Sequence, residues 1–403
     1  MSLNETPSGE RISIGFFGRR NSGKSSLVNA VTDQQLSVVS DVAGTTTDPV
    51  SKAMEILPLG PVVIIDTAGI DDEGALGQMR VEATRKILRR VDIAVLVVDS
   101  TAGLVECDNE LISLFKERQI PYIITYNKSD LKTVENLQSN EIAVSAKEKQ
   151  NIWELKERIG QLAGTAKEEI PLISDIVSAG DKVILVIPID SSAPKGRIIL
   201  PQQQVIREGL EAGCVISCVR ETELDLCLKS LTEKPRVVIT DSQAFGIVSK
   251  IVPEDIYLTS FSILMARHKG ILESCLEGVK AIDTLEPGDK VLISEGCTHH
   301  RQCEDIGTVK LPNWIRKYTG KEIDFETTSG LSFEDDLLPY KMVFHCGGCM
   351  LNDRELKSRI RVCETQNTPI SNYGLSIAYM NGILRRSLEI FPDLAAILDN
   401  KNA

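Results

Sequence analysis

Apolar residues in the first 165 positions fall in short runs, 11–17, 61–65, 93–98, 121–126 and 141–144, separated by stretches of amphipathic, helix-like spacing such as 152–162. That alternation predicts strands of a mostly parallel sheet flanked by helices. Residues 163–169 (Ala163-Gly164-Thr165-Ala166-Lys167-Glu168-Glu169) are small and polar and predict a linker. Beyond it the pattern resumes, with strands expected at 182–187, 214–219 and 236–240 and a helix over 202–212. A third stretch carries strand candidates at 290–293 and 341–344, each followed shortly by a cysteine. The expectation is an α/β protein of three domains, 1–168, 175–260 and 261–403. In open α/β sheets, sites lie beyond the carboxyl ends of the strands, which is where both cysteine groups fall.

Composition narrows the function classes. The 403 residues are 42% hydrophobic and 25% charged, ordinary for a globular protein. Forty-five basic against 57 acidic residues leave a net charge of −12, which opposes sequence-independent attraction to nucleic-acid phosphates. The start, Met1-Ser2-Leu3-Asn4-Glu5-Thr6-Pro7, is polar, and no run approaches the ~18 apolar residues that cross a bilayer. We therefore expect a cytoplasmic protein that binds neither membrane nor nucleic acid. In a reducing compartment its ten cysteines read as metal ligands, reactive thiols or core residues, and their spacing must decide.

The first chemical motif is Gly18-Arg19-Arg20-Asn21-Ser22-Gly23-Lys24-Ser25, which fits G-x-x-x-x-G-K-S/T between a strand and a helix beginning at Ser26. Glycines let backbone N–H groups turn toward phosphates, Lys24 reaches the β and γ phosphates, and the Ser25 hydroxyl ligates Mg2+. Asp66-Thr67-Ala68-Gly69 ends the apolar run 61–65, where the Asp66 carboxylate can hold a magnesium-bound water and the Gly69 amide can sense the γ-phosphate. Asn127-Lys128-Ser129-Asp130 ends another strand. Its carboxylate can accept from the N1 and 2-amino groups that guanine has and adenine lacks, so the substrate is expected to be GTP. Ser145, Ala146 and Lys147 complete the base pocket. Each tetrapeptide alone would be an ordinary turn; in this order at strand ends they resemble the translation-factor class of GTPases, and they predict a P-loop GTPase fold for the N-terminal domain.

Gly44-Thr45-Thr46-Thr47-Asp48 resembles the first switch of the TrmE and Era branch of that class, with Thr46 the expected switch hydroxyl on Mg2+. Ile70 follows Gly69 where many small GTPases have a water-orienting glutamine, and an apolar side chain cannot orient water. Asn21 resembles the asparagine by which the TrmE-like branch coordinates K+, whose charge would fill that gap. A plain polar loop residue is the alternative, and Asp71, Asp72 and Glu73 are read as a solvated face.

The second constellation is Cys297-Thr298-His299-His300 and, after 44 intervening residues, His345-Cys346-Gly347-Gly348-Cys349, holding three of the four histidines. Two residues between Cys346 and Cys349 let both thiolates face one centre, with a third from another strand end. An iron–sulfur cluster, a structural zinc of Cys3His type and a set of buried thiols are the competing readings. The other cysteines, Cys107, Cys214, Cys218, Cys227, Cys275, Cys303 and Cys363, share no metal spacing and read as core or incidental, with Cys303 nearest the motif. His268, between Arg267 and Lys269, reads as solvated or at an interface.

Taken together, a TrmE-like GTPase domain, an α/β middle and a C-T-H…H-C-G-G-C ending resemble the FeFe-hydrogenase maturation GTPases, the HydF family, over nearly the whole chain. The resemblance implies a four-iron four-sulfur cluster on Cys297, Cys346 and Cys349. His299, His345, Glu304, Asp305 or water remain candidates for the fourth iron. It further implies a homodimer or higher oligomer formed through the middle domain, and a scaffold that carries a di-iron precursor and delivers it to apo FeFe-hydrogenase alongside the other maturation enzymes. The alternative is an RNA-modification or ribosome-assembly GTPase with a structural zinc, disfavoured by the charge and by the lack of a basic C-terminal domain.

Overall fold

The computed structural model describes residues 6, 9–33, 50–67, 84–165, 170–189, 198–296 and 306–399. The chain divides into two compact units, Met1–Glu168 and Glu169–Ala403. In the first, strands β1 (Ile12–Gly18), β2 (Val50–Ile56), β3 (Gly60–Asp66), β4 (Ile93–Asp99), β5 (Tyr122–Asn127) and β6 (Glu141–Ala143) form one sheet in the order β2-β3-β1-β4-β5-β6. Only β2 runs antiparallel to its neighbour; the other pairings are parallel.

Both faces of this sheet are covered, which is why its central strands are apolar throughout. Phe16, Val95 and Val97 on one face pack with Leu27 and Val31 of helix α1 (Lys24–Thr32) and Leu155 and Ile159 of a helix at Ile152–Thr165. Phe17, Leu96 and Val98 point the other way, against Leu111 and Phe115 of a helix at Glu106–Glu117. The predicted strands are found within a residue or two. Two features differ. β2 escaped prediction because an antiparallel edge strand, Val-Ser-Lys-Ala-Met-Glu-Ile, carries polar residues on its uncovered side. The helix at Ile152–Thr165 also runs through the first three residues of the expected linker, since neither Gly164 nor Thr165 stops it; residues 166–169 lie outside the described ones.

The second unit contains two all-parallel four-stranded sheets. One has the order β10-β9-β7-β8, from β7 (Lys182–Val186), β8 (Val215–Val219), β9 (Val237–Thr240) and β10 (Tyr257–Ser260). The other has the order β12-β11-β13-β14, from β11 (Lys290–Glu295), β12 (Asp324–Ser329), β13 (Met342–His345) and β14 (Ile370–Asn372). A single apolar cluster runs through both sheets, from Leu172 and Val183 through Leu264 and Ile293 to Phe344 and Leu375. β10 and β14 are too short to give a periodic signal, and the edge strand β12, Asp-Phe-Glu-Thr-Thr-Ser, is polar. At the opposite edge of the other sheet, β8 leaves Val215 and Cys218 exposed. Among the described residues no helix is long and apolar enough to cross a membrane.

Candidate functional site

The loop after β1 bends where only glycine fits. Gly18 has φ +148°, and a Cβ there would stand 2.3 Å from the Val97 carbonyl oxygen of the next strand. Gly23 has φ +83°, and its Cβ would meet Asn127 Nδ2 at 2.2 Å. Ser22 closes the loop through its hydroxyl, which donates to the Arg19 carbonyl at 2.9 Å. The first backbone bond of α1 runs from the Leu27 amide to the Gly23 carbonyl, so the amides of Lys24, Ser25 and Ser26 head the helix with no carbonyl four residues back engaging them. They carry the positive end of the helix dipole.

Asp66, at the end of β3, faces this helix start. Lys24 Nζ lies 3.5 Å from its Oδ1 and the Ser25 hydroxyl donates to its Oδ2 at 3.3 Å. Among the described residues Oδ1 is buried and, apart from that ion pair with Lys24, accepts no hydrogen bond. A buried carboxylate with one oxygen free of hydrogen bonds, beside a serine hydroxyl, is a donor set that suits a hard divalent cation, so the residues present fit Mg2+. Thr46, Ala68, Gly69, Ile70 and the acidic run 71–73 lie outside the described residues.

The predicted base-binding residues converge on the same loop. Asn127 is buried; its Nδ2 donates to the Ser22 carbonyl at 3.1 Å and its Oδ1 accepts from the Ala146 amide at 3.0 Å. It thereby ties the phosphate loop to the 145–147 loop. Asp130 is exposed, and its Oδ1 accepts from the Ser145 hydroxyl at 2.6 Å, a bond that orients the carboxylate. Lys147 points to solvent, and Asn21 is exposed with φ +61°. Lys128 Nζ donates to the Asn21 carbonyl at 2.7 Å and to Asp99 at 2.6 Å. Burial alone would raise the Asp99 carboxyl, but hydrogen bonds from Lys128 and Thr101 outweigh it and bring it down to about 2. Sequence reading missed Asp99. Its only signal was a lone acid closing the apolar run of β4.

The cysteine site lies at the carboxyl ends of β11 and β13, whose register pairs Ser294 with His345. Cys346 Sγ accepts from the Gly296 amide at 3.0 Å and from the Gly348 amide at 3.4 Å. Burial pushes the Cys346 thiol up to about 11, with those amides and Arg359 pulling the other way. Burial also raises Cys349, opposed chiefly by the charge of Lys269. Thiols held neutral by burial are poor nucleophiles, but coordination to a metal removes the proton, and amide donors aimed at sulfur are what a thiolate ligand needs. On that observation Cys346 suits a metal-bound thiolate, as an iron–sulfur cluster would need. Cys297, His299, His300, Cys303, Glu304 and Asp305 lie outside the described residues, and among the described ones no group of three metal-ligating side chains occurs.

Arg359 was not singled out by sequence. It is 1% exposed on a helix at Asp353–Thr365 and donates to Glu355, Ser294 Oγ, the Gly330 carbonyl and His345 Nε2. Burial, and then the Arg359 charge, bring His345 down to about 3, so the ring is neutral. Lys269, 4% exposed, donates to the Leu351 carbonyl and Asp353 on the other side of the cysteine loop. Of the remaining cysteines, Cys214, Cys275 and Cys363 are buried, Cys107 and Cys227 partly so, and Cys218 is exposed. His268 bonds the Ile170 carbonyl through Nδ1.

Comparison with known proteins decides the family. Residues 172–270 match the family described as the hydrogen maturase F dimerization domain, and residues 273–390 match the hydrogen maturase F tetramerization domain. The chain belongs to the hydrogen maturase F family. Its N-terminal part is a P-loop GTPase domain: residues 13–128 match the family described as 50S ribosome-binding GTPase. The two maturase F domains support homo-oligomerisation. Among individual proteins, GTPase Der of Wolinella succinogenes is 34% identical over 186 residues, covering 42% of this chain and 39% of that protein. The tRNA modification GTPase MnmE of Streptococcus sanguinis is 33% identical over 174 residues, covering 41% of this chain and 37% of that protein. The maturase F chain thus spans less than two fifths of the length of these curated relatives. Among solved structures, a probable GTP-binding protein engB aligns with a TM-score of 0.30 at 26% identity, over 37% of this chain and 97% of that one. Aquifex aeolicus Era bound to GDP.AlF4- aligns at 0.35 and 20%, over 52% and 92%.

Proposed function

We propose that this protein is a GTP-hydrolysing scaffold that binds a four-iron four-sulfur cluster and carries and delivers the di-iron precursor of the FeFe-hydrogenase active site to apo-hydrogenase. The observation that carries the reading is the pair of adjoining maturase F domains, the second of which aims two backbone amides at Cys346 Sγ. Cys297 follows Gly296, the donor of one of those amides, directly in the chain. Cys297, Cys346 and Cys349 would hold the cluster, which when bound supplies an iron that three cysteines leave for another ligand. Domains at 1–168, 175–260 and 261–403 would divide the work into GTP hydrolysis, dimerisation and cluster binding. In the middle one, β8 is an edge strand with exposed apolar residues, the kind of surface that a second copy can cover.

In the GTPase domain, Gly18, Asn21, Ser22, Gly23, Ser26 and Lys24 would cradle the phosphates, and Ser25 with Thr46 and, through water, Asp66 would hold Mg2+. When bound, that ion neutralises charge developing between the β and γ phosphates. Asn127, Lys128 and Asp130 with Ser145, Ala146 and Lys147 would select guanine, Asp130 being oriented by Ser145. Gly69 would sense the γ-phosphate. The MnmE relatives favour an RNA-modifying role for a GTPase of this type, but the maturase F match over residues 172–390 speaks for the scaffold.

Anaerobic purification should yield a brown protein carrying about four irons and four sulfides per chain, able to activate an apo FeFe-hydrogenase once loaded with the precursor. A colourless zinc protein would overturn the reading. Asn21 and Ile70 lead to a further expectation: GTP turns over faster in K+ than in Na+ at equal ionic strength. Equal rates in the two salts would remove K+ from the mechanism.

A further inference from the structure

One feature of the cysteine site is explained by neither the fold nor the ligand set, the chain of hydrogen bonds running behind Cys346. Glu355 Oε1 accepts from Arg359 Nε at 3.0 Å, Arg359 Nη1 reaches His345 Nε2 at 3.2 Å, and His345 Nδ1 lies 2.6 Å from the Cys346 carbonyl oxygen. A guanidinium has only donors, so Nε2 must be the acceptor. The ring's proton therefore sits on Nδ1, pointed at a carbonyl that can only accept. Both nitrogens of this buried ring are engaged, and its orientation is set from both ends. Ser294, the register partner of His345 on β11, takes a second bond from the same Arg359 nitrogen at 3.2 Å, which locks the guanidinium across the two strands that end at the cysteines.

We propose that Arg359 and His345 are positioning residues for Cys346. Arg359 fixes His345 as a donor to the Cys346 carbonyl, and that bond holds the start of the C-G-G-C loop so that the Gly296 and Gly348 amides point at Sγ. The inference rests on the reading of Cys346 as a cluster ligand, and it assigns His345 to the support of a ligand rather than to the fourth iron. An arginine is rarely buried unless its donors are used. Here Arg359 meets Glu355, Ser294, His345 and the Gly330 carbonyl.

The test uses full-length protein reconstituted with iron and sulfide, challenged with an excess of an iron chelator, and compared by pulsed EPR after reduction. Arg359→Met removes many bonds at once and could unfold the domain, so the His345 variants carry the test. His345→Ala should speed iron loss by about tenfold to a hundredfold, the range seen when the group behind a metal ligand is removed. His345→Asn, whose amide N–H stands near the position of Nδ1, should keep iron as the unsubstituted protein does, with the nitrogen couplings in its EPR spectrum unchanged. Iron loss from His345→Asn as fast as from His345→Ala, disappearance of a nitrogen coupling in His345→Asn, or full retention in His345→Ala would each overturn the positioning role. Failure of the unsubstituted protein to take up iron is a different result; it would sink the cluster reading and this inference together.

Discussion

Lys24→Ala is expected to lower GTP turnover by at least about a hundredfold, the scale on which losing one preorganised charge-stabilising donor acts, while leaving iron per chain unchanged. Lys24 stands at the first turn of α1 with its ammonium 3.5 Å from Asp66, so the variant loses the cation beside that carboxylate without disturbing the glycines that shape the loop. Its aliphatic stem is largely buried, but alanine is a good helix former and α1 should persist. Iron should not follow, because Lys24 belongs to the unit Met1–Glu168 and the cysteines to Glu169–Ala403. The measurement is phosphate release at saturating GTP alongside an iron count on the same preparation. Parallel loss of iron would mean that nucleotide binding is needed to build the cluster, and the separation of roles would fall.

The second large effect is expected at the cysteines. Cys297→Ser, Cys346→Ser and Cys349→Ser should each lose most of the iron and all activation of apo-hydrogenase, because a serine hydroxyl keeps its proton where a thiol ionises and offers a hard oxygen in place of a soft thiolate sulfur. Cys346→Ser should be the most damaging to the loop, since the amides of Gly296 and Gly348 converge on its sulfur. Cys218→Ser is the internal control: exposed on β8 and outside the motif, it should keep full iron. A protein that keeps its iron after loss of Cys346 or Cys349 would refute the ligand assignment.

Motifs whose chemistry depends on near neighbours could be read from the chain. The glycine, lysine and serine of 18–25 act within eight residues, and the two residues between Cys346 and Cys349 are a spacing that lets both thiolates face one centre. The buried parallel strands β1, β4, β5, β7, β9, β11 and β13 were equally legible, because burial on both faces leaves an unbroken apolar run. Two of the edge strands were not. β2 and β12 are covered on one side only, and polar residues on the open side erase the signal.

What the sequence by itself determined is therefore local: a phosphate loop, the tetrapeptide Asn127–Asp130 expected to read guanine, a paired-cysteine loop and the central strands that present them. Tertiary structure alone decided which distant groups complete each site. Asn127 joins Ser22 across 105 positions, Lys128 takes its partner Asp99 from a neighbouring strand, and Arg359 reaches Ser294 across 65. Within Asp353–Thr365, a segment rich in charge, Arg359 looks like one more solvated helix residue, and nothing in its neighbours marks it as buried. Its role follows from the helix packing over the ends of β11 and β13, where a donor set that water would satisfy on a surface must be satisfied by Glu355, Ser294, His345 and a backbone carbonyl.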